Sequence, residues 1–260
     1  MLVEPGQTNF DLRFRLFGTP VRVHPFFWLF SAILGWPVIN EPDGFLLLII
    51  WVVCCFLSIL LHEFGHVWMG AVLGSRDSYI VLYSFGGLAV GSRELPHRWQ
   101  RILVSLAGPG IQLALYGLIW LWLRSLSPET FLRIPERGIF LIGEMLNINL
   151  VWPLFNLLPV WPLDGGMVAR DVSTAVSSRS GLQFSLGLSV VLAGFMAVYA
   201  VIGQNRRYAV IPHLPTGLWI AFLFGMLAIQ SWQLLQQARL WQTPVDDRLP
   251  WEDDPDAWKR

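Results

Sequence analysis

Charge is scarce in this chain. Only 14% of its 260 residues are Asp, Glu, Lys or Arg, and eighteen of each sign cancel to a net charge of zero. A soluble domain carries nearer a quarter, so the scarcity argues against a water-facing globule. The missing basic excess argues against a nucleic-acid partner. Cysteine is nearly absent: Cys54 and Cys55 are the only two, and they are adjacent within an apolar run. That arrangement supports neither a disulfide framework nor a cysteine-based zinc site and leaves both as small packing residues. A cleavable signal peptide is not expected, because the first apolar block starts near Pro25, behind Arg13, Arg15 and Arg22.

What the chain has in abundance is apolar residues, 54% of the total, gathered into long blocks. They predict a polytopic membrane protein. One block organises the rest. Phe45 to Leu61 is seventeen residues long, with Ser58 its only ordinary polar side chain, and it runs directly into His62-Glu63-Phe64-Gly65-His66. About 20 residues at 1.5 Å each cross a hydrocarbon core of about 30 Å, so this stretch reads as a span. Ionisable groups at membrane depth are costly and are therefore functional candidates. On a helix, His62 and His66 lie on one face. That spacing lets two imidazoles reach one Zn²⁺, with Glu63 placed as general base. In a soluble core such a pair would more often be satisfied packing residues; inside a span that alternative is weaker.

Along the chain, residues 1–24 form a lead-in in which Phe10, Leu12, Phe14 and Leu16 alternate with Asp11, Arg13 and Arg15, the period of a strand. With a turn at Gly18-Thr19-Pro20 and alternation resuming at Val21 and Val23, an interfacial hairpin is expected, an irregular amphipathic lead-in being the alternative. Six spans follow: 25–40 (short), the motif helix from Gly44, 101–123, one starting near Gly138, 181–203 and 217–235. Residues 25–176 make the membrane core, 177–236 two additional helices, and 237–260 an acidic, solvated tail. The fold class expected is therefore an all-α polytopic membrane protein, about six transmembrane helices with small interfacial or re-entrant β hairpins. With the N-terminus in the cytoplasm, thirteen Lys and Arg fall inside and five outside, the orientation favoured by the positive-inside rule. His62 then lies about 27 Å along its helix, toward the cytoplasmic leaflet.

A catalytic zinc needs a third protein ligand and an open position for water. Glu144 sits in the opposite leaflet. Asp164 lies at the right depth, in Asn156-Leu157-Leu158-Pro159-Val160-Trp161-Pro162-Leu163-Asp164-Gly165-Gly166. Pro153, Pro159 and Pro162 cannot all occupy a regular helix, so an unwound stretch is expected, tolerated at that depth only beside protein or a water-filled cavity. Asp164 could instead cap the following helix, a role that would leave the histidine pair without a partner.

These two segments together resemble the site-2 protease family of intramembrane zinc metalloproteases, whose signatures are an H-E-x-x-H helix and a distant N-x-x-P-x-x-P-x-D-G stretch. Similarity extends to Gly18–Phe27, to Phe85-Gly86-Gly87 and to Ala107-Gly108-Pro109, so that it covers about residues 10–170. The family often has Asn where this chain has Gln112. The resemblance implies that His62, His66 and Asp164 bind Zn²⁺, that Glu63 is the catalytic base and that Asn156 is a polar donor to the reacting carbonyl. It also implies that the β-rich segment 78–91 is a re-entrant hairpin whose tip, Phe85, Gly86 and Gly87, binds substrate; a surface hairpin is the alternative. The implied substrate is a membrane-anchored protein cut within or beside its transmembrane segment, in the inner or plasma membrane. No room exists between the spans for the PDZ domain of some relatives. Two other functions are weighed: a catalytically silent relative acting as a membrane binding or regulatory protein, against which an intact Glu63 speaks, and a zinc transporter, whose ligands would be strung across the bilayer.

Overall fold

The computed structural model of the chain describes residues 5–75, 77–84, 86–92, 95–203 and 216–240. Its elements are β1 (Leu12–Leu16), β2 (Thr19–Val23), α1 (Pro25–Leu34), α2 (Gly44–Val72), β3 (Tyr79–Tyr83), β4 (Gly86–Val90), α3 (Arg98–Ser125), α4 (Pro128–Leu132), α5 (Glu136–Asn156), α6 (Asp164–Val176), α7 (Ser178–Ile202) and α8 (Leu218–Leu240). Five helices are long and apolar enough to cross a bilayer: α2, α3, α5, α7 and α8. The protein is a multi-pass membrane protein with a small sheet packed on α2.

The sixth apolar segment, 25–40, takes another form. It is a ten-residue α1 started by Pro25, with the His24 ring accepting the Phe26 amide at 3.2 Å, then Gly35 and a 3-10 turn over Trp36–Asn40. Gly35 marks the break because a Cβ there would strike the Trp51 ring. The segment nevertheless runs antiparallel along the first half of α2. Phe27 meets Phe56 at 6.2 Å, Trp51 donates its indole N–H to the Ser31 carbonyl at 2.9 Å, and Gly44 closes against Ile39. So the chain is carried from the sheet to the start of α2 without a full-length sixth helix.

Both hairpins form, and they join. The tip of the first is Phe17-Gly18, both with positive φ (50° and 80°), the two-residue turn whose twist matches antiparallel strands. Arg13 pairs with Arg22 and Phe14 with Val21. The second hairpin pairs Ile80 with Ala89 and Leu82 with Gly87, across a tip that includes Phe85, which lies outside the described residues. Between them β2 and β3 pair in parallel, Val21 with Ile80 and Val23 with Leu82, giving one four-stranded sheet in the order β1-β2-β3-β4. Pro20, which cannot donate to a ladder, sits just outside the β2–β3 pairing.

One face of this sheet packs on α2. Val21, Val23, Ile80 and Leu82 bury against Ile59, Leu60, Phe64 and Val67. The sheet is thereby held at the height of the His62–His66 motif. The opposite side of α2 packs on α3 and α5, and a second core joins Val160 to α7 and α8 through Ala193, Met196, Phe224 and Leu227.

Candidate metal centre

Three segments meet at the centre. α2 supplies His62, Glu63 and His66, α6 supplies Asp164, and α3 lies across both. All four side chains are buried. The helical spacing of the two histidines brings their Nε2 atoms to 3.1 Å of each other. Asp164 sets Oδ2 at 3.0 Å from His62 Nε2 and Oδ1 at 3.4 Å from His66 Nε2.

The close approach of α2 and α3 depends on two glycines. A Cβ on Gly65 would lie 2.6 Å from the Ala107 carbonyl oxygen and 2.9 Å from the Gly108 Cα, so the two backbones touch. A Cβ on Gly108 would collide with the His66 ring and lie 3.0 Å from His62 Nε2. Ala107-Gly108-Pro109 thus forms the floor beneath both imidazoles. Pro109, within α3, lacks the N–H that a regular helix would give to the Ser105 carbonyl.

The same helix fixes both rings. His66 Nδ1 lies 2.7 Å from the Val104 carbonyl oxygen, which can only accept, so that nitrogen carries the proton. Gln112 donates its amide N–H to the Ser58 carbonyl at 3.1 Å, which turns its Oε1 toward His62 Nδ1 at 2.8 Å. His62 Nδ1 therefore donates as well. Both Nε2 atoms are left as lone pairs, facing one another and a carboxylate. Three acceptors at 3.0–3.4 Å repel unless a cation or proton lies between them. The edge of a zinc tetrahedron with Zn–N near 2.05 Å is about 3.3 Å, close to the observed nitrogen separation. A nitrogen, nitrogen, carboxylate donor set, with each imidazole held from behind, fits Zn²⁺. Among the described residues, no other group of three His, Cys, Asp or Glu side chains converges in this way.

Asp164 reaches the histidines because α5 ends early. Pro153 is accommodated inside α5, whose last residue is Asn156, while Leu157–Leu163, with Pro159 and Pro162, is irregular. α6 begins at Asp164 itself, with Leu163 in the N-cap position and no side-chain cap bond. The first turn of a helix favours a carboxylate, and here that carboxylate is turned toward the imidazoles. Gly165 and Gly166 let the new helix press onto the irregular backbone: Cβ atoms there would collide with the carbonyls of Leu157 and Val160. The Asp164-Gly165-Gly166 sequence is thus a packing device as well as the source of a candidate ligand.

Glu63 points away from α3, toward the sheet. A Cβ on Gly87 would sit on its carboxyl group, so β4 begins directly against the candidate base. Gly86 lies 3.3 Å, by the same measure, from the Trp152 ring of α5. Asn156 donates its side-chain amide to the Trp152 carbonyl at 3.1 Å, within its own helix.

No family model matches the chain. Individual relatives do. It is 30% identical over 225 residues to a candidate zinc metalloprotease of Synechocystis, sll0528, covering 83% of this chain and 57% of that one. Zinc metalloprotease MJ0392 of Methanocaldococcus jannaschii is 27% identical over 75% of this chain and 57% of its own. The solved site-2 protease of Methanocaldococcus jannaschii superposes with a TM-score of 0.58 at 21% identity, over 86% of this chain and 94% of that one. The chain shares the fold of that site-2 protease. It spans a little over half the length of the curated relatives it matches. The sequence marked the motif residues, and Gln112 and Ser58 as polar positions, but not the contacts behind the candidate centre: Gln112 on His62, the Val104 carbonyl on His66 and the Ser58–Asn149 pair. Asn149 donates to Ser58 Oγ at 2.9 Å. Their signal was present as amides and a hydroxyl inside apolar spans, with Ser58 one turn before His62 on the same face.

Proposed function

We propose that this chain is an intramembrane zinc endopeptidase that hydrolyses peptide bonds within or next to the membrane segments of anchored proteins. The observation that carries this is the convergence of two Nδ1-committed imidazoles and the Asp164 carboxylate, beside a second, separate carboxylate on Glu63. His62, His66 and Asp164 would hold the zinc. When bound, the metal supplies Lewis-acid polarisation and lowers the pKa of a coordinated water toward 7. Glu63, one residue from His62 but directed at the sheet, accepts the proton of the attacking water and delivers it to the leaving amine. Asn156 is the last residue of α5, where the irregular segment begins, and its amide is the group assigned to the developing oxyanion.

A helical substrate presents carbonyls already hydrogen-bonded, and unwinding it in lipid exposes backbone groups that cost several kcal/mol each if unpaired. β4 is one of the two edge strands of the sheet, and its second residue, Gly87, lies against the Glu63 carboxyl group. An unwound substrate segment added to that edge regains backbone partners while its scissile bond is brought to the base. Gly86 and Gly87 form the entry to that edge; Phe85, assigned with them to substrate, lies outside the described residues. Residues 25–176 form the catalytic core, 1–24 a cytoplasmic lead-in, 177–236 an added helix pair and 237–260 a tail. The charge count along the chain favours a site facing the cytoplasmic leaflet of an inner or plasma membrane.

The test is cleavage of membrane-anchored reporters in vesicles by wild type and by Glu63→Gln. The substitution keeps the shape of the side chain and removes the base, so cleavage is expected to vanish with zinc retained. Undiminished cleavage by Glu63→Gln would overturn the assignment.

A further inference from the structure

The backbone of Trp161, three residues before Asp164, is held on both its N–H and its carbonyl from outside its own segment. Its N–H donates to Ser189 Oγ of α7 at 3.0 Å, and its carbonyl lies 3.4 Å from Ser231 Oγ of α8. Ser189 in turn donates within its helix to the Ser185 carbonyl at 2.8 Å and lies 3.4 Å from the Pro159 carbonyl. Both serines are buried, and both belong to helices that contribute no group to the metal centre. The ring of Trp161 is covered by the Arg170 guanidinium at 5.0 Å.

Pro159 and Pro162 give this segment no amides, and its backbone cannot form a helix there. At membrane depth the Trp161 N–H needs a partner that its own segment does not provide. Val160, beside it, is fully buried among Ala193, Met196, Phe224 and Leu227 of the same two helices. Movement of this peptide cannot stay local. A Cβ on Gly166 would lie 2.6 Å from the Trp161 nitrogen, so the first turn of α6 rests on the clamped backbone. Asp164 opens that turn.

We propose that Ser189, with a weaker contribution from Ser231, is a positioning residue: it clamps the Trp161 peptide and so sets Asp164 against His62 and His66. This rests on the metal centre proposed above, and it gives the added helix pair a task in the chemistry without contact with substrate. The weight falls on Ser189 because its bond to the amide is short, whereas the Ser231 contact is long for a hydroxyl donor. Ser185→Ala is the control. Ser185 is as buried as Ser189 on the same helix but bonds only the Leu182 carbonyl three residues back.

Two measurements on the detergent-solubilised full chain test the clamp. The first is hydrogen–deuterium exchange of a peptide covering Val160–Leu163, which has amides only at Val160, Trp161 and Leu163. Ser189→Ala should release one protected amide there, and Ser185→Ala none. The second is zinc retention against a chelator series. Ser189→Ala should weaken it about tenfold, the scale of groups that orient metal ligands from behind, Ser231→Ala less, and Ser189→Ala should have no further effect in an Asp164→Ala background. Equal exchange in Ser189→Ala and Ser185→Ala overturns the clamp, as does zinc loss that persists when Asp164 is already gone. If wild type holds no zinc, the metal centre fails, and the exchange experiment alone decides whether the clamp exists.

Discussion

Gln112 Oε1 accepts the Nδ1 proton of His62 at 2.8 Å, from a helix that places the two residues fifty positions apart in sequence. This one bond selects the His62 tautomer, and the donor side of the same amide is anchored on the Ser58 carbonyl. Gln112 is fully buried. Where the family often has the shorter Asn, this chain makes the contact with Gln. Gln112→Leu keeps the volume and removes both bonds. It is expected to weaken zinc binding by about 10- to 100-fold while the chain still folds, as read by chelator competition. Unchanged affinity would show that the His62 tautomer is set elsewhere.

Gly87 separates binding from chemistry. Alanine there places a methyl group against the Glu63 carboxyl without touching a metal donor. The expected result is normal zinc content with cleavage reduced by at least about tenfold, a loss of transition-state stabilisation of about 1.4 kcal/mol. Zinc loss on Gly87→Ala would mean that β4 supports the metal and not the base.

Gly65 tests the helix contact. Its Cβ would lie 2.6 Å from a backbone oxygen of α3, which cannot rotate away, so Gly65→Ala must part the helices. Overpacking of this kind costs about 1–3 kcal/mol, measurable as a lower unfolding midpoint in detergent, with zinc affinity falling in parallel because the floor under the imidazoles moves.

How much of this the sequence carried depended on whether a signal was local. The apolar run into His62 and the three prolines ahead of Asp164 are local, and both the motif helix and the irregular Leu157–Leu163 stretch appear where expected. Alternation along 12–16 and the β-rich runs on either side of Phe85-Gly86-Gly87 were likewise enough for two hairpins. Their union was not legible: the parallel pairing of Val21 with Ile80 joins strands on either side of two helices, and nothing in either strand names the other. The segment 25–40 is apolar enough for a span, and what shortens it is the Trp51 ring against Gly35, a contact between distant residues. The partners of Gln112 and Ser189 were invisible for the same reason. A polar side chain in a span announces that it has a partner, not which one.

The N-terminal segment carries a pH dependence. Burial opposes ionisation of Asp11, but the Thr8 hydroxyl and amide and the Arg22 guanidinium outweigh it and hold the pKa down at about 2, from 3.8. Arg22 also donates to the Pro5 carbonyl at 3.0 Å. Because the folded pKa is depressed, the stabilisation is whole above the ordinary carboxylate value and is lost as pH falls through about 2. Residues 5–24 should therefore resist pepsin at pH 4 and become cleavable toward pH 2, and Asp11→Asn should make them cleavable at both. Resistance of Asp11→Asn at pH 4 equal to that of wild type would remove Asp11 from this role.

The most direct test of the metal centre is X-ray absorption at the zinc edge of the purified chain. About one zinc per chain is expected, with nitrogen and oxygen neighbours near 2.0–2.1 Å and the outer-shell pattern of two imidazoles, reduced to less than half occupancy in Asp164→Ala. A sulfur neighbour near 2.3 Å, which would implicate Cys54 or Cys55, or full zinc occupancy in Asp164→Ala, would contradict it.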